Sequence, residues 1–265
     1  ILSIKNVNIK HFTSFLSHGD KHEHENRTFL IQSQNSQTEY PLKKKNNFTL
    51  IYGILTGKLT PLLIREIKAI SNIETAIIIF IDNKSNRTLF YDMFSKEKTN
   101  SQFENVYFID SPRFYVYWGQ LISAFPEIVM AQAALKFFPN SLYISFHTES
   151  DYPIIPNDCI INYLKRHYPN NYINEIKKAA KWRNQRKNKF YLFFDFPYKE
   201  KVLKMIRFLF PKKKIPDVKW GNGPNWNTMT LKDARKMIDV IFKKFEIIDT
   251  LEYASFGDEI IFQTL

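Results

Sequence analysis

FTLIYGIL, Phe48 to Leu55, is where the chain changes character. Residues 1 to 46 before it are polar, rich in Ser, Asn, Gln and His without a sustained period, and read as an irregular N-terminal arm. From residue 47 to 265 short apolar runs alternate with amphipathic segments, which points to one α/β domain with a mostly parallel sheet flanked by helices. Strands are expected at Phe48 to Leu55, Thr75 to Ile81, Asn105 to Ile109, Leu142 to Phe146 and Lys189 to Phe194. Helices are expected at Pro61 to Ile70, Gln120 to Phe137, Ile155 to Tyr163 and Tyr198 to Phe210. A further helix follows Thr230 as its cap, with Leu231, Ala234, Ile238 and Ile241 on one face.

Composition narrows the class. At 265 residues with 44% apolar content the chain can bury a sizeable core, and 24 Phe and 14 Tyr against 7 Gly argue against a disordered or collagen-like chain. A single cysteine, Cys159, excludes an internal disulfide and fits a reducing compartment; among apolar neighbours it reads as a buried, inert thiol. No apolar run reaches the roughly 18 to 20 residues that span a bilayer. The expected location is therefore cytoplasmic or peripheral to a membrane, with the reservation that the chain begins at Ile1 rather than Met. A net charge of +12 favours an anionic partner, whether a phosphorylated small molecule, an acidic membrane surface or nucleic acid.

Several motifs bear on chemistry. Glycine-rich phosphate loops are absent, and GNG at Gly221 to Gly223 does not replace them. His18, Asp20, His22 and His24 imitate a metal cluster but lie in the polar arm without a second ligand pair, so no metal is expected. The apolar run ending at Phe146 passes straight into His147, Thr148, Glu149, Ser150 and Asp151. Polar residues at the carboxyl end of a buried strand form either a ligand site or a loop in which Thr148 or Ser150 caps a backbone amide.

Six segments occur in order: YGILTGK (Tyr52 to Lys58), FIDNKSN (Phe80 to Asn86), RFYVYWG (Arg113 to Gly119), FHTESDYPI (Phe146 to Ile154), GPNWNTMTLKDARKMI from Gly223, and GDEIIFQTL from Gly257. Together, across residues 50 to 265, they resemble the core-2/I-branching N-acetylglucosaminyltransferase and peptide xylosyltransferase family, branching β-glycosyltransferases of GT-A fold. The resemblance implies an inverting, metal-independent glycosyltransferase that moves a sugar from a UDP-sugar co-substrate to a hydroxyl of a glycan or glycoconjugate acceptor, with no other cofactor. It places the catalytic base at Glu259. Donor binding falls to Tyr52, Thr56, Asp82, Tyr117, Glu149 and Asp151. Acceptor binding falls to Trp182, Arg183, Asn225, Trp226 and Asp258.

Inversion needs a carboxylate to take the acceptor proton while the anomeric carbon is attacked from the face opposite UDP. Asp258 and Glu259 also suit the first turn of a helix, Asp82 a turn, and Trp226 a core position. The chain departs from the family at Glu149, where a Gly is usual, at Gly57 for a His, and at Leu231 for an Arg. Family members also continue past the equivalent of Leu265 to basic residues that face the diphosphate. These charges are expected from the arm or the 181 to 189 loop, or the chain is truncated. Two alternatives stand beside the enzyme reading: a basic nucleic-acid-binding module, disfavoured because most aromatics lie inside apolar strand runs, and a non-catalytic relative that keeps the fold as an interaction surface.

Overall fold

Thr75–Ile81, TAIIIFI, is buried at every residue, and a run with no polar alternation can only be covered on both faces. The computed structural model, which describes residues 2–4, 47–96, 103–110, 113–117, 119, 121–174, 218, 220–221, 223–243, 245–252 and 257–264, places it inside a six-stranded sheet. The strands are β1 (Leu2–Ile4), β2 (Leu50–Thr56), β3 (Thr75–Ile81), β4 (Val106–Ile109), β5 (Tyr143–Thr148) and β6 (Thr228–Thr230). Their order is β1-β4-β3-β2-β5-β6, with the first five parallel and β6 antiparallel to β5. The expected mostly parallel α/β sheet is therefore present. Leu2–Ile4, inside the segment expected to be irregular, pairs with β4 at the edge.

Helices α1 (Pro61–Ile70), α2 (Arg87–Lys96), α3 (Phe125–Phe137) and α4 (Asn157–Arg166) connect or follow the central strands. Thr60 caps α1 by accepting the Leu63 N–H, and Pro61 fills its first position, where no N–H is needed. Leu63, Ile67 and Ile70 of α1, Phe90 and Phe94 of α2, and Leu164 of α4 pack in one core with Leu50, Tyr52 and Ile54 of β2. The opposite face receives α3: a Cβ on Gly53 of β2 would lie 3.3 Å from Met130 of that helix. This division follows from handedness. The β2-α1-β3 and β3-α2-β4 crossovers step one way along the sheet, whereas β4-α3-β5 steps back past β2, and right-handed connections put its helix on the other face.

The remaining helices are α5 (Leu231–Lys243), α6 (Phe245–Glu252) and α7 (Asp258–Thr264). Thr230 caps α5 as expected, accepting the Asp233 N–H and donating to the Asp233 carboxylate, and Leu231, Ala234, Ile238 and Ile241 are buried. The chain divides into two compact units, Ile1–Val116 with Pro126–Tyr172 and Trp226–Lys236, and Tyr117–Phe125 with Ile173–Asn225 and Met237–Leu265. In the second unit α7 packs against α6 and the 3-10 turn Leu121–Ala124. Gly221 and Gly223 lie against α7: a Cβ on Gly221 would stand 2.0 Å from the Gln263 carbonyl oxygen, and the Gly223 N–H donates to the Glu259 carbonyl. Gly221 thus permits a close approach to the helix that carries Asp258 and Glu259, and Gly223, whose Cβ would stand 2.0 Å from the Asn174 carbonyl oxygen, a close approach to the 174 backbone.

Two expectations change. Cys159 is exposed on α4 rather than buried, because it falls on the face away from Ile161 and Leu164. β5 runs two residues past its expected end, through His147 and Thr148. The strand at Lys189 to Phe194, the helix at Tyr198 to Phe210 and the His18 to His24 segment lie outside the described residues. Among the described residues no helix is long and apolar enough to cross a membrane.

Close approach makes a clean test. Gly221→Ala forces backbone against backbone and is expected to cost about 1–3 kcal/mol in urea unfolding. Gly57→Ala, where a Cβ meets nothing within 4 Å, is expected to stay within about 0.5 kcal/mol of wild type.

Candidate functional site

β2 lies between β3 and β5, where the crossovers reverse, and the carboxyl ends of these three strands carry polar side chains. Thr56, fully buried, bonds through its hydroxyl to the Lys58 backbone. Its carbonyl accepts the Asp82 N–H at the end of β3. Asp82 Oδ1 accepts the Lys84 N–H at 2.9 Å and the Val116 N–H at 3.4 Å, leaving Oδ2 without a hydrogen-bond partner among the described residues. The turn expected at Asp82 is therefore real, and it uses one of the two carboxylate oxygens. Burial pushes the Asp82 carboxyl above the usual carboxylate range, against the pull of the Lys84 and Val116 amides and the Lys84 and Arg113 charges. Arg113 is itself buried and grips the carbonyls of Ile81, Asp82 and Ser85, which fixes this strand end.

The polar stretch after β5 folds back on itself. Asp151 Oδ2 accepts the Thr148 N–H at 2.6 Å and its hydroxyl at 3.1 Å, and the Ser150 hydroxyl lies 2.9 Å from that of Thr148. Of the capping foreseen for Thr148 or Ser150, Thr148 Oγ1 accepts the Ser150 N–H at a long 3.5 Å, while the shorter cap comes from Asp151, which also lines a cavity of about 500 Å³ in the first unit. Tyr52, Tyr163, Tyr172 and Trp226 present rings to this cavity, and Leu50 and Leu164 form its apolar side. Trp226 is 47% exposed, so it is a rim residue rather than a core one. Tyr52 is buried, donates its hydroxyl to Asn157 Oδ1 at 2.7 Å and meets His147 edge-on, while its backbone is committed to the sheet.

Ser145, His147 and Thr228 complete the wall and continue into a buried group that sequence inspection missed. Glu66 of α1 is 0% exposed, and its Oε1 lies 3.1 Å from His147 Nδ1. Its Oε2 has no hydrogen-bond partner among the described residues. Desolvation pushes the Glu66 carboxyl up; the hydrogen bond and charge of His147 oppose the shift, and Asp151 and Glu149, the latter half-buried, add to it. A charged residue inside a helix normally reads as solvated. The available signal was position, since Glu66 shares the face of Leu63, Ile67 and Ile70.

The second unit assembles another polar cluster. Asp258 Oδ2 accepts the Ser123 hydroxyl at 2.6 Å and the Asn225 amide at 3.2 Å. Burial raises the Asp258 carboxyl, opposed first by the Ser123 bond. Glu259 follows at the start of α7, half-buried, its carbonyl accepting the Gly223 N–H at 2.9 Å. Tyr117, also half-buried, belongs to this unit, and Gly119 two residues on adopts φ 72°, a left-handed conformation suited to glycine. Trp182 and Arg183 lie outside the described residues. No group of three His, Cys, Asp or Glu that could hold a metal ion occurs among the described residues.

No family model matches the chain, and no curated protein matches it significantly.

The raised carboxyls give a signed pH dependence. A carboxyl shifted up by burial contributes stability that is complete below its ordinary value of about 4 and is lost as pH rises through the raised one. Asp258→Asn keeps an acceptor for Ser123 and removes the charge. It is expected to melt above wild type at pH 8 and to lose that advantage at pH 4, as read by paired thermal unfolding curves.

Proposed function

We propose that this chain is an inverting UDP-sugar glycosyltransferase of GT-A architecture, acting on a glycan or glycoconjugate hydroxyl. The observation that carries the reading is Asp82: a buried carboxylate at the end of β3, beside the reversal at β2, with Oδ2 unengaged among the described residues. Such an oxygen suits the imide N–H of uracil, and a hydrogen bond to a carboxylate that is largely buried discriminates for a base that carries that donor. Arg113 holds the strand end in place through three carbonyls, so the acceptor is pre-positioned rather than ordered on binding.

The order of the six motifs supports the same assignment, including Glu259 as the base that removes the acceptor proton. Asp258 then has a positioning role: its bonds to Ser123 and Asn225 hold the first turn of α7. The transfer forms a bond from the acceptor oxygen to the anomeric carbon, breaks the bond from that carbon to UDP, and leaves the acceptor proton on Glu259. Protein cations rather than a metal are assigned to the diphosphate, as the resemblance implies.

UDP is expected to raise the melting temperature of wild type in the presence of EDTA. Asp82→Ala should lose that shift while melting within a few degrees of wild type. Stabilisation by oligonucleotides but not by UDP would sink the reading in favour of a nucleic-acid module. For the chemical step, Glu259→Gln should still bind UDP but transfer sugar at least about 10²-fold more slowly, measured as UDP release against acceptor concentration.

A further inference from the structure

The cavity of the first unit contains a connected set of groups that sugar transfer does not use. Ser145 and His147 are two residues apart on β5, so both side chains leave the same face of the sheet, and both line the cavity. His147 Nε2 lies 3.2 Å from Ser145 Oγ, and His147 Nδ1 lies 3.1 Å from the buried Glu66 carboxylate. Ser145 Oγ in turn lies 2.7 Å from Thr228 Oγ1 on β6.

Hydrogen-bond chemistry orders this chain. A carboxylate only accepts, so the hydrogen on His147 belongs at Nδ1, facing Glu66. In the neutral ring Nε2 then carries a lone pair and accepts the Ser145 hydroxyl. Thr228 donates to Ser145. A hydroxyl bonded to an imidazole whose far nitrogen is fixed by a carboxylate is an activated nucleophile.

We propose that Ser145, His147 and Glu66 form a second reactive centre that hydrolyses esters of small apolar acids, with Ser145 as nucleophile, His147 as base and Glu66 as the residue that positions it. The acyl class follows from the walls: Leu50, Ile160 and Leu164, with the rings of Tyr163 and Tyr172, offer an apolar space large enough for a short aliphatic or aromatic acyl group.

Ser145 Oγ bonds to the ester carbonyl carbon as its proton passes to His147 Nε2. The carbon–oxygen bond to the alcohol then breaks, and the alcohol leaves with that proton. Water, losing a proton to His147, attacks the acyl carbon; the bond to Ser145 Oγ breaks, and the proton returns to Ser145 as the acid departs.

The test uses the full chain with a fluorophosphonate probe and with p-nitrophenyl butyrate. Wild type should be labelled at Ser145, located by peptide mass spectrometry, and should hydrolyse the ester. Ser145→Ala should lose at least about 10²-fold in turnover. Glu66→Gln should lower kcat by about 10-fold or more with KM near wild type when kcat is referred to the concentration of sites that the fluorophosphonate labels to completion, so that protein unfolded by loss of packing does not count. No label at Ser145 in wild type, or ester hydrolysis by Ser145→Ala at the wild-type rate, overturns the proposal. The labelling arm stands even if a variant fails to fold.

Discussion

The first unit depends on β2 being held on both sides. Its seven residues pair in parallel with β3, and all but the last pair with β5, so register is shared across three strands. Gly53 sits in the middle, where a Cβ would come within 3.1 Å of Phe146 and 3.3 Å of Met130. The missing side chain lets α3 and β5 close over the strand. Because the strands are parallel and in register, Thr56, Asp82 and Thr148 arrive at one edge without any loop having to carry them there.

Where one physical signal dominated, the sequence was readable. TAIIIFI could hardly be anything but a doubly covered strand, and Pro61–Ile70 carries both its cap at Thr60 and its apolar face in local order. Where signals competed, it was not. β6 is three residues in a stretch rich in Asn and Thr, and it exists because it pairs with β5. RTLFYDMFSK forms α2 with weak contrast between its faces, so packing rather than pattern selects it. α3 has almost no contrast between its faces, so only its length separates it from a buried strand. Of the site, Asp82, Asp151 and Trp226 announced themselves as polar or aromatic residues at strand ends and in motifs. Glu66 did not, since only tertiary contact distinguishes a buried acid from a solvated one.

Charge illustrates the limits of whole-chain arithmetic. The protein is strongly basic, yet the wall of the first-unit cavity brings His147 beside Glu66, with Asp151 and Glu149 close enough to add to the shift of its carboxyl. Net charge governs approach and non-specific attraction, whereas local burial decides protonation. The polar residues after β5 belong to the second kind of effect: Asp151 both closes the turn and faces the cavity, so its carboxylate is held by local bonds at the cavity wall.

The Glu66–His147 contact also constrains how this chain can vary. Replacing His147 by an apolar residue leaves a fully buried carboxylate with neither oxygen served by that partner, and replacing Glu66 strips the imidazole of its acceptor. The first step leaves an uncompensated buried carboxylate and the second a half-buried imidazole without its carboxylate, and the first in particular is costlier than exchanging both for a packed apolar pair. Homologous sequences should therefore keep the two residues or lose them together, and a lineage that carries only one of them should show a compensating change among the side chains around α1 and β5.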